Sequence, residues 1–365
     1  MAIPFSVHVR DEEEARAARY RATPPPPSSS SSTSTGGDGG GRGCRLVLFS
    51  HGLTGTGEEN SIFCASLARR GYVVASIHHR DGSSCRAPSH VVGGDCTYYA
   101  HVPAGDDYDP RYRLRQVHVR AGEFLKVRSW LVGGGGGGDS AHDGDDDDDA
   151  GRHRRIVLDQ IRPHLANDGC GGTIAAGFSY GATTAALAAT LEPDKFRCAV
   201  LLDPWLHVDY SSRGVEFDFP PEAFGKGWPD DDDDDEEEEG ADAGRMDGKV
   251  GLRTPSVFIS SSQFRGYEKL YGATRRLADR INSHVDDDDD EKNDENDALR
   301  GGSSRRDRNR AEMHVIPDTV HSNFCDVVFW LPRRMARKVF RLGDADAYDA
   351  HEEILDKTVR FLRRF

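Results

Sequence analysis

Apolar residues along this chain fall into short runs, and each run is followed by a stretch with helical spacing. CRLVLFS (44–50), YVVASI (72–77), GTIAA (172–176), CAVLLD (198–203), PSVFIS (255–260) and EMHVIP (312–317) read as strands that are apolar almost throughout. Between and after them, helices are expected over 61–70, 111–131, 154–165, 183–191, 267–281, 333–342 and 348–363. The first of these ends at Gly71, and the second carries Leu114, Val117, Phe124 and Leu125 on one face. Strands without a polar face must be covered on both sides, so the pattern predicts an α/β fold with a mostly parallel central sheet and helices on both faces. IPFSVHVR near the start alternates cleanly and predicts an antiparallel edge strand. Residues 173–191 carry no charge, but they hold two glycines and many hydroxyls. They read as a buried strand, turn and helix and not as a membrane span.

Composition changes this picture locally. Of 365 residues, 36% are hydrophobic and 30% charged, and the apolar shortfall concentrates in four segments: 23–43, 133–151, 229–244 and 286–310. Runs of Ser, Pro, Gly, Asp and Glu cannot bury enough apolar area to offset chain entropy, so they are expected to be disordered acidic or polar insertions in a single domain spanning 1–365. Three acidic stretches (133–150, 230–243 and 286–297) hold 7, 11 and 9 acidic residues against one lysine, a net of −26; with a total of −15, the rest of the chain is then +11. The Asp-rich runs match no EF-hand loop, so no metal site is expected. Seven cysteines without a C-x-x-C pair suit reduced thiols, and MAIPFSVHVRDEEE has no apolar leader segment, so a cytoplasmic protein is expected.

In an open α/β sheet, ligands sit beyond the carboxyl ends of the strands. GFSYGA (177–182) lies at such an end, between GTIAA and an apolar helix. Its G-x-S-x-G pattern suits a sharp nucleophile elbow presenting Ser179, with glycines where side chains would clash. A serine hydroxyl needs a base. His321, in DTVHSNF beyond EMHVIP, has the required order after the serine; His314, His207, His284, His142 and His153 are less well placed. Asp203 ends CAVLLD and suits the orienting acid. The later strand PSVFIS is followed by SSQFRGYE, with no carboxylate before Glu268, and Asp209 and Asp326 are weaker rivals. The oxyanion would take backbone N–H groups from Tyr180, after the nucleophile, and from Leu53, in the glycine-rich SHGLTGTG (50–57). GLTGTG fits no nucleotide-binding glycine pattern, and no nucleic-acid partner or cofactor is expected.

LVLFSHGLTG, LARRGYVVASIHHRDGS, GFSYGATTAALA, FRCAVLLDPW and TVHSNFCDVVFW together resemble the α/β-hydrolase-type platelet-activating factor acetylhydrolases, the family that includes the lipoprotein-associated phospholipase. The resemblance implies an α/β-hydrolase fold. It implies Ser179 as nucleophile, Asp203 as acid, His321 as base and Leu53 and Tyr180 as oxyanion donors. It also implies calcium-independent removal of a short sn-2 acyl group from a phospholipid. The family's elbow usually reads G-H-S-F-G-G, whereas this chain has Phe178, Tyr180 and Ala182 there. An esterase for small non-lipid esters is the alternative, and a non-catalytic binding module on a hydrolase fold is a third reading. Trp330, Leu331, Met335, Val339 and Phe340 beside Arg333, Arg334, Arg337 and Lys338 form either a stripe packed on the sheet or a transient membrane-surface contact.

Overall fold

Six of the chain's apolar runs become parallel strands. They are β2 (Leu46–Ser50), β3 (Val73–Ile77), β6 (Thr173–Phe178), β7 (Phe196–Leu202), β10 (Ser256–Ser261) and β11 (Ala311–Ile316). The computed structural model describes residues 5–8, 44–89, 95–100, 111–133, 160–165, 172–210, 215–218, 251–289, 310–330, 333–340 and 342–365. The expected edge strand is present as β1 (Phe5–His8), antiparallel to β3. The order across the seven-stranded sheet is β1-β3-β2-β6-β7-β10-β11. Two polar hairpins lie outside it: β4 (Arg86–Ala87) with β5 (Thr97–Tyr98), and β8 (His207–Tyr210) with β9 (Val215–Asp218). These strands are only two to four residues long, too short for an alternating pattern to mark them as strands.

The helices are α1 (Ser61–Ala68), α2 (Arg111–Val132), α3 (Tyr180–Leu191), α4 (Ser262–Arg265), α5 (Glu268–Asp289), α6 (Val327–Trp330), α7 (Arg333–Phe340) and α8 (Ala347–Leu362). Alternation along each strand sorts the core into two layers. Leu46, Leu48, Ala75 and Leu201 face Leu114, Val117 and Phe124 of α2, Ala182 and Ala185 of α3, and Leu277 and Ile281 of α5. Val47, Phe49, Val200 and Ile259 face Phe63 and Leu67 of α1 and Ile354, Leu355 and Phe361 of α8. Helices thus cover both faces of the sheet.

Two expectations need correction. Helix α5 runs on to Asp289, so the segment expected to be disordered from 286 begins as the last turn of a helix. Once Ala273, Leu277 and Ile281 anchor that helix, each further residue adds a hydrogen bond at little cost. Of the helix expected over 154–165, the described residues 160–161 are helical and only the last turn departs, as a 3-10 turn, Arg162–His164, with Pro163 inside it. Residues 23–43, 134–150, 229–244 and 290–309 lie outside the described residues.

The strand order also locates the site. From β2 the chain goes first to β3 on one side, then returns to β6 on the other. The connections after β2 and β6 therefore diverge and leave a crevice at their carboxyl ends. SHGLTGTG and GFSYGA are the two loops at that point.

Candidate active site

The turn from β6 to α3 is very tight. A Cβ on Gly177 would run into the backbone of Gly181 and Ala182, and one on Gly181 into the carbonyls of Ser50 and His51. Only glycine fits at either position. Between them Ser179 takes φ 56° and ψ −121°, a strained conformation for a residue with a side chain. Its N–H donates to the Leu202 carbonyl at 2.8 Å, which pins the turn to β7. The hydroxyl remains partly exposed at the start of α3.

Asp203 follows β7 directly, with φ 45° and no exposed surface. The Ser261 N–H donates to its Oδ1 at 2.7 Å and the Ser261 hydroxyl to its Oδ2 at 2.8 Å. His321 opens a 3-10 turn, His321–Phe324, a few residues beyond β11. Its N–H donates to Gln263 Oε1 at 2.9 Å. Its Nδ1 lies 2.8 Å from Asp203 Oδ2, and its Nε2 lies 3.0 Å from Ser179 Oγ. With Nδ1 donating to the carboxylate, Nε2 is left to accept the serine proton. Two rings stack on this imidazole: Phe178, with centroids 4.6 Å apart, and Phe264, at 5.5 Å.

Three side chains far apart in sequence thus meet at one rim of the sheet. The rival residues are engaged elsewhere. His314 pairs with Glu312 at 3.2 Å, and His207 with Asp218 at 2.7 Å. Asp326 accepts from Ser61 Oγ at 2.6 Å and from the Ile62 N–H at 3.1 Å, at the start of α1. Asp209 sits on β8, and His284 on α5; their side chains, like His142 and His153, lie outside the described residues.

The two expected oxyanion donors stand out by what surrounds them. The Gly52 N–H donates to Glu59 Oε2, the Thr54 N–H to the Ser83 carbonyl, and the Ser179 N–H to the Leu202 carbonyl. Among the described residues, the Leu53 and Tyr180 N–H groups have no such partner. The Tyr180 side chain points into the core, where its hydroxyl donates to the Arg113 carbonyl. Only its backbone is offered to the crevice.

Residues 37–211 match the family model described as platelet-activating factor acetylhydrolase, isoform II. Over that stretch, a little under half of the chain, the sequence is similar to platelet-activating factor acetylhydrolases. The stretch shared with that family contains Ser179 and Asp203 and ends before His321. The protein named platelet-activating factor acetylhydrolase from Cavia porcellus is 29% identical over 176 residues, which is 44% of this chain and 35% of that protein. The protein of the same name from Canis lupus familiaris is 28% identical over 174 residues, again 35% of its length. The matched stretch thus spans about a third of these relatives. A solved structure, a ferulic acid esterase from Streptomyces cinnamoneus, superposes with a TM-score of 0.52 at 16% identity, covering 88% of this chain and 67% of the other. That likeness is one of fold, the α/β-hydrolase fold.

The HHRDGS stretch that carried the resemblance to the family sits directly beneath the β2 loop. Arg120, fully buried on α2, donates to Ser83 Oγ at 3.1 Å, to Ser50 Oγ at 3.0 Å and to the His51 carbonyl, and lies 4.9 Å over the Tyr180 ring. Ser50 Oγ is 2.8 Å from His79 Nε2, whose Nδ1 is 2.7 Å from Glu123 Oε2. This repeats the connectivity of Ser179, His321 and Asp203, but Ser50 and His79 have no exposed surface. Burial, with Arg120 nearby, holds His51 and His79 well below the ordinary histidine range, and burial pushes Glu123 up to about 7. A buried site with a guanidinium beside it holds neutral imidazoles. This second cluster braces the loop, and its serine and histidine are sealed from solvent while Glu123 is only slightly exposed.

The structure brings together the expected Ser179, Asp203 and His321, and adds Ser261, Gln263, Phe264, Glu59 and Arg120, which the sequence pattern did not single out. One signal was available: SSQF occupies a strand end where a carboxylate was sought, and it holds the acid and the histidine from the side. Among the described residues, no group of three or more His, Cys, Asp or Glu side chains is placed to hold a metal ion.

Proposed function

We propose that this protein is a serine esterase, with Ser179 as nucleophile, His321 as general base and Asp203 as the orienting acid. The observation that carries this reading is the hydrogen-bonded chain Ser179–His321–Asp203, with links of 3.0 and 2.8 Å, at the carboxyl ends of parallel strands. His321 Nε2 takes the serine proton as Oγ bonds to the ester carbonyl carbon. Asp203 holds Nδ1–H and stabilises the imidazolium. The Leu53 and Tyr180 N–H groups bind the oxyanion. Collapse expels the alcohol, which takes the proton from His321. Water then attacks the acyl-enzyme, giving its proton to the same nitrogen, and the carboxylic acid leaves as Ser179 regains its proton.

The likeness to platelet-activating factor acetylhydrolases supports a phospholipid substrate with a short sn-2 acyl group, platelet-activating factor or an oxidised relative, and we infer that its hydrolysis needs no calcium. Trp330, Met335 and Val339 lie exposed beside Arg334, Arg337 and Lys338, and we assign this face to transient contact with a lipid surface. The test is hydrolysis, in chelator, of phospholipids with short and long sn-2 chains alongside small non-lipid esters, with Ser179→Ala as control. The reading expects turnover of the short-chain phospholipid and its loss in the variant. Turnover confined to non-lipid esters leaves an esterase of another substrate class. Near-normal turnover by Ser179→Ala ends the mechanism.

A further inference from the structure

We propose that Glu59 is a positioning residue of the candidate oxyanion loop, holding the Gly52 amide and presenting a negative charge to the imidazolium that forms on His321. The proposal rests on the Ser179–His321–Asp203 reading above.

Glu59 is not part of the hydrogen-bonded chain at Ser179, yet its carboxylate packs against the segment that precedes Leu53. Its Oε2 accepts the Gly52 N–H at 2.9 Å. A Cβ on Gly52 would sit 3.3 Å from that same oxygen and 3.3 Å from the Phe178 ring, and a Cβ on Gly55 would run into the carboxylate itself. Two of the three glycines of SHGLTGTG, Gly52 and Gly55, therefore make room for a side chain of this chain. The loop is closed behind by the Gly55 N–H on the Gly52 carbonyl at 3.2 Å and by the Glu59 N–H on the Thr56 carbonyl at 3.0 Å. With Gly52 fixed, the next N–H in the chain, that of Leu53, is left without a partner among the described residues.

The same carboxylate is coupled to the histidine. Phe178 touches the Gly52 position and stacks on His321. The Glu59 carbonyl accepts the Asp326 N–H at 2.8 Å, and the Asn60 side chain donates to the Phe324 carbonyl at 2.6 Å, so the His321 turn and the Glu59 turn are tied together. The groups that face Glu59 are His321 and Arg120, which favour its charge, and Asp326, which opposes it; the Cys325 thiol lies beside it. Burial outweighs these and pushes Glu59 up to about 7. In a largely buried setting, loss of that charge is felt strongly by a forming imidazolium.

The test compares wild type, Glu59→Gln and Glu59→Ala in steady-state kinetics from pH 5 to 9 with a soluble acetyl ester. A fluorophosphonate titrates the reactive serine, so each rate is counted per active molecule. Gln keeps an acceptor for the Gly52 N–H but not the charge. The expected result is a kcat about tenfold lower at unchanged KM for Gln, a larger loss for Ala, and an acid limb reduced from two ionisations to one in both. A kcat for Glu59→Gln within about twofold of wild type, a loss expressed in KM alone, or an acid limb that keeps both ionisations overturns the proposal. Wild-type protein that fails to react with the fluorophosphonate overturns the Ser179 reading instead.

Discussion

The ring of Phe264 lies nearly parallel to the imidazole of His321, with 13° between their planes and 5.5 Å between centroids. Phe264 lies in α4, the short helix that follows β10, and its N–H donates to Ser261 Oγ at 3.1 Å, the hydroxyl that also holds Asp203. One short segment therefore sets the acid and the base together. An aromatic contact of this kind contributes about 0.5–1.5 kcal/mol. Phe264→Leu is expected to lower kcat/KM by up to about tenfold, with the fold retained by circular dichroism. Unchanged kinetics would show that the ring only fills space.

Asp203 has both oxygens committed, one to His321 and Ser261 Oγ and the other to the Ser261 N–H. The substitution Asp203→Asn would bring an NH2 into a site built from donors, and one contact must fail. We expect kcat to fall by about 10⁴ while the fluorophosphonate still finds Ser179 slowly. Activity near wild type would remove Asp203 from the mechanism.

Gly181 and Gly71 separate two reasons for glycine. At Gly181 a Cβ would strike the Ser50 and His51 carbonyls, while at Gly71 (φ +92°) nothing lies within 4 Å. Gly71→Ala carries backbone strain alone, about 1–2 kcal/mol, and is expected to lower the melting temperature while leaving kcat unchanged. Gly181→Ala is expected to shift the turn and lose both stability and activity. Thermal denaturation and kinetics on the two variants check this, and equal effects on kcat would contradict it.

Burial raises the Asp326 carboxyl from 3.8 to about 6, against the hydrogen bonds from Ser61 and Ile62 that favour its charge. A folded pKa above the unfolded one means that the folded state holds the proton more tightly. The contribution to stability is full below about 4 and is lost as the pH rises through about 6. Asp326→Asn keeps an acceptor for α1 and never ionises. It is expected to be more stable than wild type at pH 8, by on the order of 2 kcal/mol, with the difference vanishing near pH 4. Denaturant unfolding at the two pH values measures this, and a gap that widens on acidification would reverse the assignment.

Trp330 and Met335 are 67% and 53% exposed, with Arg334 and Lys338 exposed next to them. Vesicles of anionic phospholipid should float the protein, and W330S together with M335S should leave it at the bottom of the gradient. Wild-type protein that stays behind would mean this face does not meet lipid.

Local pattern was enough for most of the architecture. Val73–Ile77 and Thr173–Phe178 are buried at every position, and a run of such residues has few alternatives to a central strand. Helix α3 follows an apolar, alanine-rich stretch that would be hard to place elsewhere. Where pattern fell short, the elements were only a few residues long or lay at the end of a longer one: the β8–β9 hairpin, the 3-10 turn at Arg162–His164, and the extension of α5 to Asp289.

The sequence alone determined that Gly177 and Gly181 flank a serine at a strand end, and that His321 and Asp203 stand at the ends of later strands. Each is a local fact, set by a few neighbouring residues. Only the tertiary structure decided that these three side chains lie within hydrogen-bonding reach, that Ser261 and Phe264 brace them, and that Glu59 and Arg120 hold the β2 loop from behind. Apart from Glu59 on Gly52, seven positions away, those contacts join residues dozens to hundreds of positions apart. No local period records them, because strand order and the packing of α2 and α4, not the spacing of residues, bring them together.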